Sequence, residues 1–157
     1  MRPLKFRALG FDVVVQPWFG LTIAIAVLYR LPSGNLLLAF SWGVVVFVSV
    51  LVHELGHAMT ARALGVRVGS IVIHALGGQV EHARTTPARQ LAISLAGPGA
   101  GLALGAIALG AAVAVPAIAN GELSSAVLGD LLFVNVVWSV ISGSSACPFS
   151  QTRNRMR

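Results

Sequence analysis

The sequence predicts an all-α membrane protein with about four transmembrane helices and a short β-rich hairpin or re-entrant loop between helices 2 and 3. Of the 157 residues, 56% are hydrophobic and only 10% are charged, and the mean hydropathy is +0.83. A soluble domain has about 25% charged residues, so this composition indicates a bilayer environment. The chain also contains several apolar segments that are long enough to cross a lipid bilayer.

The first two apolar segments are joined by a tight turn. The first runs over residues 13–31, although residues 11–15 also suit a short strand. The second runs over residues 36–58, and at about 1.5 Å per residue it spans the roughly 30 Å hydrocarbon core. Proline, serine, glycine and asparagine at 32–35 form the turn.

The third segment covers residues 91–119 and is interrupted near each end by Pro98 and Pro116. Small residues recur in it every four positions, at Gly97, Gly101 and Gly105. A stripe of this kind lets another helix approach closely, so we interpret it as a packing face.

The fourth segment covers residues 124–141, with Asp130 and Asn135 as polar members. Asp130 lies near its start, which favours an interfacial role over a catalytic one. We divide the chain into a transmembrane core, residues 1–141, and an atypical polar, basic tail, residues 142–157.

Residues 66–82, between the second and third segments, have a different character. Their β-branched residues are Val66, Val68, Ile71, Ile73 and Val80, and two glycines at 77–78 interrupt them. The pattern predicts a β-hairpin or re-entrant loop. Such backbone is tolerated at membrane depth only if it is buried in protein or lines a wet cavity.

Charge placement predicts the orientation in the membrane. The net charge of +6 comes from 11 basic and 5 acidic residues. The basic residues flank the apolar segments instead of forming a patch with aromatics, which argues against nucleic acid as a partner. Only Arg30 lies in one of the other two connections. The remaining ten lie at the N-terminus, between the second and third segments, or in the tail: Arg2, Lys5, Arg7, Arg62, Arg67, Arg84, Arg89, Arg153, Arg155 and Arg157. The positive-inside rule then predicts a multi-pass protein of the cell membrane, embedded in the lipid bilayer, with both termini cytoplasmic.

The most informative motif is H-E-x-x-H, formed by His53, Glu54 and His57. Two imidazoles four residues apart share one helix face and can bind one metal ion, while Glu54 is placed as the general base. We therefore predict His53 and His57 as ligands of about one zinc ion per chain. Residues 36–52 before the motif carry no ionisable group, and ionisable groups at membrane depth are usually functional.

The histidines also allow interpretations other than metal binding. His53 and His57 could instead be satisfied by hydrogen bonds within a helix bundle. His74 and His82 are expected to be loop or interface histidines, not metal ligands. The single cysteine, Cys147, excludes an internal disulfide and a cysteine-based metal cage.

Three motifs together resemble the site-2 protease family of intramembrane zinc metalloproteases over residues 10–141. Residues 53–57 read H-E-L-G-H, residues 75–80 read A-L-G-G-Q-V, and residues 94–98 read S-L-A-G-P. The resemblance implies an endoprotease that cleaves transmembrane or juxtamembrane segments of other membrane proteins, so transmembrane proteins are the expected substrates. A strand edge could hold an unwound substrate by added pairing, and Gly77, Gly78 and Gln79 are the predicted substrate-binding residues.

The C-terminal region departs from the family pattern. The family carries N-x-x-P-x-x-P-x-D-G, whose aspartate is the third zinc ligand, and counting on from Asn135 places this motif at residues 142–151. Those positions hold Ser142, Ser145, Pro148, Ser150 and Gln151. Serine thus stands where the aspartate is expected, and a truncation or shifted reading frame after Ile141 would produce such a tail.

Three functions follow from these observations. The first is an intramembrane zinc protease, with a second copy or a regulatory membrane protein left open as a partner. The second is a non-catalytic relative that binds membrane helices without cleaving them, which the missing aspartate favours. The third is a small transporter or metal carrier, ranked last because no inverted repeat is visible.

Overall fold

A computed structural model describes residues 2–75 and 77–145, with the side chains at position 33 and at positions 141–145 left out of the description. The elements in chain order are β1 (Leu4–Ala8), β2 (Phe11–Val15), α1 (Phe19–Arg30), a 3-10 turn (Leu31–Ser33), α2 (Leu36–Ala63), β3 (Val68–His74), β4 (Gly77–His82), α3 (Pro87–Ala114), α4 (Pro116–Asn120) and α5 (Glu122–Ser145).

Within the described part of the chain, three helices are long and apolar enough to cross a membrane: α2, α3 and the Glu122–Val140 part of α5. The expected first span is shorter. Helix α1 has 12 residues, about 18 Å, against a hydrocarbon core of roughly 30 Å. The residues before α1 belong to the sheet instead, because β2 takes Phe11–Val15 and the Gln16 N–H donates to the Ile73 carbonyl at 2.8 Å.

The predicted hairpin exists as β3 and β4, but it belongs to a larger sheet. The order is β1-β2-β3-β4, with β1–β2 and β3–β4 antiparallel and β2–β3 parallel. The fold is therefore mostly helical with a small four-stranded sheet, and the all-α prediction is wrong in this respect. Strand β4 forms one edge of this sheet.

One face of the sheet packs on the C-terminal half of α2. Val13, Ile71 and Ile73 on β2 and β3 are fully buried, and they share a core with Val50 and Ala58 of α2. Burying apolar side chains here stabilises the sheet against the stretch of α2 that carries the H-E-x-x-H motif.

The β1–β2 turn is bound to the end of α2. Leu9 and Gly10 both have positive φ, at +50° and +83°. A two-residue hairpin turn of type I′ requires positive φ at both of its central residues. The Arg62 guanidinium donates to the Leu9 carbonyl at 3.1 Å and lies 4.3 Å from the centre of the Phe11 ring. These contacts connect the N-terminal hairpin to the last turn of α2.

Helices α3 and α5 complete the bundle. The predicted packing face of α3 is confirmed at Gly101, where a Cβ would lie 3.0 Å from Asn135 Oδ1, and at Gly105, where it would lie 3.5 Å from Leu132 Cδ2. Asp130 is buried on α5 and forms an ion pair with Arg30 at the end of α1. The ion pair accounts for a buried carboxylate at position 130, so no catalytic role is needed to explain it.

Candidate metal centre

The three residues of the motif form one cluster near the C-terminal end of α2. One ligand atom from each of His53, Glu54 and His57 lies within 4.8 Å of the others. His53 and Glu54 are buried, at 3% and 4% exposure, and the two imidazole rings meet edge to face with centroids 4.9 Å apart. The predicted site residues are thus brought together by a single helix.

A backbone carbonyl fixes the orientation of His57. Its Nδ1 lies 2.6 Å from the Ile93 carbonyl oxygen on α3. Since a carbonyl only accepts, Nδ1 carries the proton in this bond, and Nε2 is left with its lone pair for a metal ion. Partners of this kind are common behind metal-binding histidines.

Gly97 on α3 forms the wall opposite the two imidazoles. A Cβ at this position would lie 2.2 Å from His57 Nε2 and 2.7 Å from His53 Nε2. Both Nε2 atoms therefore face the same small space, which only glycine leaves open. The spacing of glycines predicts only helix packing for Gly97, and the A-G-P motif at residues 96–98 is the sequence signal for its place beside the histidines.

The β3–β4 hairpin covers Glu54. A Cβ at Gly78 would lie 2.3 Å from Glu54 Cγ, so β4 backbone contacts the carboxylate side chain directly. Gly77 has φ +133° and faces the Trp138 ring, 2.7 Å from a Cβ placed there. Gln79 is exposed and pairs with Val72 on β3. The substrate-binding role of these β4 residues stays a prediction.

The other acidic residues lie in different contacts. Asp12 pairs with Arg7, and the Ser70 hydroxyl donates to Glu81 at 2.8 Å. Across the described residues, no further histidine, cysteine or carboxylate joins the cluster, so His74 and His82 are outside it. Positions 142–151, where the third ligand is expected, include Ser150 and have no described side chains.

The donor set suits zinc. Neutral imidazole nitrogens are ordinary zinc ligands, and catalytic sites combine about three protein ligands with one open position. Here two imidazoles converge through Nε2, one of them is held in the required tautomer, and a carboxylate lies beside them. With zinc bound, this arrangement would provide two of the protein ligands and would place a carboxylate beside them.

Comparison with known proteins gives a consistent result. The model for peptidase family M50 matches residues 42–151. The zinc metalloprotease MJ0392 of Methanocaldococcus jannaschii is 27% identical over 93 residues, covering 59% of this chain and 27% of that protein. The Synechocystis sp. protein sll0528, provisionally described as a zinc metalloprotease, is 42% identical over 60 residues, covering 37% of this chain and 16% of that protein. The chain therefore spans less than a third of the length of either relative.

A solved structure supports the fold. The site-2 protease from Methanocaldococcus jannaschii matches with a TM-score of 0.66 over 90% of this chain and 72% of that chain. The sequence identity is 20%, so this likeness concerns the fold.

Proposed function

Because the chain belongs to peptidase family M50, we propose that it is an intramembrane zinc metalloendopeptidase that cleaves transmembrane or juxtamembrane segments of membrane proteins. The resemblance to site-2 proteases is confirmed, and the class of enzyme is metalloprotease. The observation that carries the proposal is the cluster of His53, Glu54 and His57, buried at its first two members, within an apolar helix long enough to span a membrane.

His53 and His57 would hold zinc through their Nε2 atoms. When bound, zinc polarises a carbonyl and acidifies a bound water. Glu54 takes the proton from the attacking water and later passes it to the amide nitrogen of the leaving peptide. The water oxygen bonds to the carbonyl carbon as the C–N bond breaks, and the products are a carboxylate and an amine.

The edge of β4 is the proposed substrate-binding element. A transmembrane helix must unwind before one of its amides can reach the cluster, since helical amides are already hydrogen-bonded within the helix. An edge strand offers unpaired backbone groups to such an extended segment. Gly77, Gly78 and Gln79 lie on this edge, and Gly78 contacts Glu54.

The distribution of charge supports the proposed orientation. The basic residues at the sheet end of the bundle are Arg2, Lys5, Arg7, Arg62, Arg67, Arg84 and Arg89. At the other end, Arg30 is neutralised by Asp130. By the positive-inside rule, the sheet and the metal cluster lie toward the cytoplasmic side of a cell membrane, as do both termini.

A second candidate function follows from the ligand count. The described residues supply two histidine ligands, and serine stands at position 150, where the family pattern has aspartate. A chain that lacks the third ligand would bind membrane helices, a second copy or a regulatory membrane protein without cleaving them.

Glu54→Gln tests the proposed enzyme against this second candidate. The variant should retain zinc, since both imidazoles are unchanged, and should lose cleavage of a co-expressed single-span membrane protein tagged at both ends. Immunoblots of the two tags report the cleavage. Glu81→Gln is the matched control, because Glu81 lies outside the cluster, and it should cleave like the parent chain.

The remaining outcomes separate the two functions. Equal cleavage by the parent chain and Glu54→Gln would contradict the protease mechanism. An uncleaved substrate that still co-purifies with the parent chain would favour the binding-only relative.

A further inference from the structure

We infer, building on the proposed function, that one turn of α5 positions the metal centre by contacting its three walls. The turn consists of Asn135, Trp138 and Ser139, which we call the positioning turn. Residues at i, i+3 and i+4 share one face of a helix, so the three side chains project from the same side of α5. Each of them contacts a different element of the site.

Asn135 contacts α2, which carries the metal ligands. Its side chain is buried, and Nδ2 donates to Ser49 Oγ at 3.0 Å and to the Leu131 carbonyl at 2.8 Å. Ser49 lies four residues before His53 and therefore on the same face of α2. The bond sets α5 against α2 one turn away from the first imidazole.

Ser139 contacts α3, which forms the opposite wall. Its buried hydroxyl donates to the Pro98 carbonyl at 3.1 Å. Pro98 follows Gly97, whose Cα faces the Nε2 atoms of both imidazoles. This bond therefore fixes the distance between α5 and the glycine wall.

Trp138 contacts the hairpin that covers the general base. Its ring lies against Gly77, where a Cβ would come within 2.7 Å, and the next residue, Gly78, contacts Glu54. The three contacts thus reach the ligand helix, the glycine wall and the hairpin from a single turn.

The polar members of the turn point to a positioning role beyond general packing. Apolar side chains would fill this part of the bundle without the desolvation cost of an amide and hydroxyls. A hydrogen-bonded pair is specific, however, because sliding α5 by one turn would separate Asn135 from Ser49 and leave a buried amide unpaired. The Asn135–Ser49 and Ser139–Pro98 bonds therefore favour one register of α5.

Chemical labelling of histidines tests this role without requiring metal or proteolysis. The metal-free chain is treated with diethyl pyrocarbonate, and the rate at each histidine is read by mass spectrometry. Asn135→Leu and Ser139→Ala should each accelerate labelling of His53 and His57 several-fold relative to His74 and His82 in the same molecule. Ser139→Thr keeps the hydroxyl and should restore the slow rate.

Zinc affinity provides a second readout. Loss of a supporting hydrogen bond around a metal site typically weakens binding by about 10-fold to 100-fold, and we expect the lower figure for Asn135→Leu and Ser139→Ala. Ser125→Ala is the matched control, because the Ser125 hydroxyl donates only to the Glu122 carbonyl within α5. It should change neither the labelling rates nor the affinity.

Two results would overturn the role of the positioning turn. One is an unchanged labelling rate at His53 and His57 in both Asn135→Leu and Ser139→Ala. The other is an equal increase at all four histidines in both variants, which would indicate general unfolding. If the parent chain binds no zinc, the proposed metal site fails, while the labelling rates still decide whether the turn positions the histidines.

Discussion

At the scale of single residues, the site depends on glycines that allow very close contacts. Gly97 lies against the two Nε2 atoms, and Gly78 lies against the Glu54 side chain. In each case a methyl group would occupy the space next to a side chain with a proposed role in metal binding or proton transfer. Glycine is required here by close approach.

Gly97→Ala should abolish zinc binding. The added methyl would lie 2.2 Å from His57 Nε2, and because it is attached to the α3 backbone it cannot move away without shifting a helix. Zinc content of the purified variant measures the effect. Gly99→Ala is the control on the same helix, since a Cβ there meets nothing within 4 Å, and full zinc loading is expected. Normal zinc content in Gly97→Ala would contradict the described wall.

Gly78→Ala should separate metal binding from cleavage. The methyl would lie 2.3 Å from Glu54 Cγ and displace the proposed general base, and the three atoms nearest to it all belong to Glu54. Removing a positioned general base typically costs about 10²–10⁴-fold in rate. Zinc content and cleavage of the tagged membrane protein are measured together.

The control for this substitution is Gly69→Ala on β3, where the nearest atom to a Cβ is 3.4 Å away, on Glu81. It should retain both properties. If Gly78→Ala cleaved as fast as the parent chain, the described close contact between β4 and Glu54 would be contradicted.

At the scale of elements, the site depends on how closely α2 and α3 approach. Gly56 lies inside the motif, and a Cβ there would meet the Ala96 carbonyl at 2.6 Å and Ala100 Cβ at 2.7 Å. The small residues of both helices therefore bring the imidazoles next to Gly97 and the Ile93 carbonyl. Close approach through small residues is a common way for membrane helices to pack.

Gly56→Ala should lower the free energy of unfolding in detergent. Overpacking of a close contact typically costs about 1–3 kcal/mol, and we expect a value in this range. Gly110→Ala on α3 is the control, because nothing lies within 4 Å of a Cβ there, and it should be neutral or stabilising. A fully stable Gly56→Ala would mean that α2 and α3 are farther apart than described.

The elements show which parts of the fold the local sequence predicts. The 36–58 segment and the 66–82 hairpin are visible in hydrophobic patterning, and they correspond to α2 and to β3–β4. The Leu4–Ala8 strand also has a visible alternation, with Phe6 and Ala8 packed on the core and Lys5 and Arg7 exposed. Its two basic residues also fit a cytoplasmic flank of a membrane segment, so the alternation alone does not predict the strand.

Long-range pairing accounts for the part of the fold that the sequence does not predict. Strand β2 pairs in parallel with β3, with Asp12 opposite Ser70, although the whole of α1 and α2 lies between the two strands in the sequence. No local pattern reports a partner so far along the chain, and the short α1 is a consequence of this pairing. The grouping of His53, Glu54 and His57, by contrast, is predictable because the three residues lie within one and a half turns of a single helix.

At the scale of the whole molecule, the described residues form a bundle of three long apolar helices and a small sheet around the cluster of His53, Glu54 and His57. The division of the chain at residue 141 stays a prediction. Residues 142–151, where the third ligand is expected, have no described side chains. Two imidazoles, one glycine wall and one carboxylate form the described part of the site. The central claim is that this cluster binds zinc.

Zinc content of the detergent-purified chain, compared with His57→Ala, tests that claim most directly. We expect about one zinc ion per parent chain and a loss of metal in the variant, because catalytic zinc sites depend on each protein ligand. A parent chain without zinc, or a variant that binds as much zinc as the parent, would contradict the assignment of His53 and His57 as metal ligands.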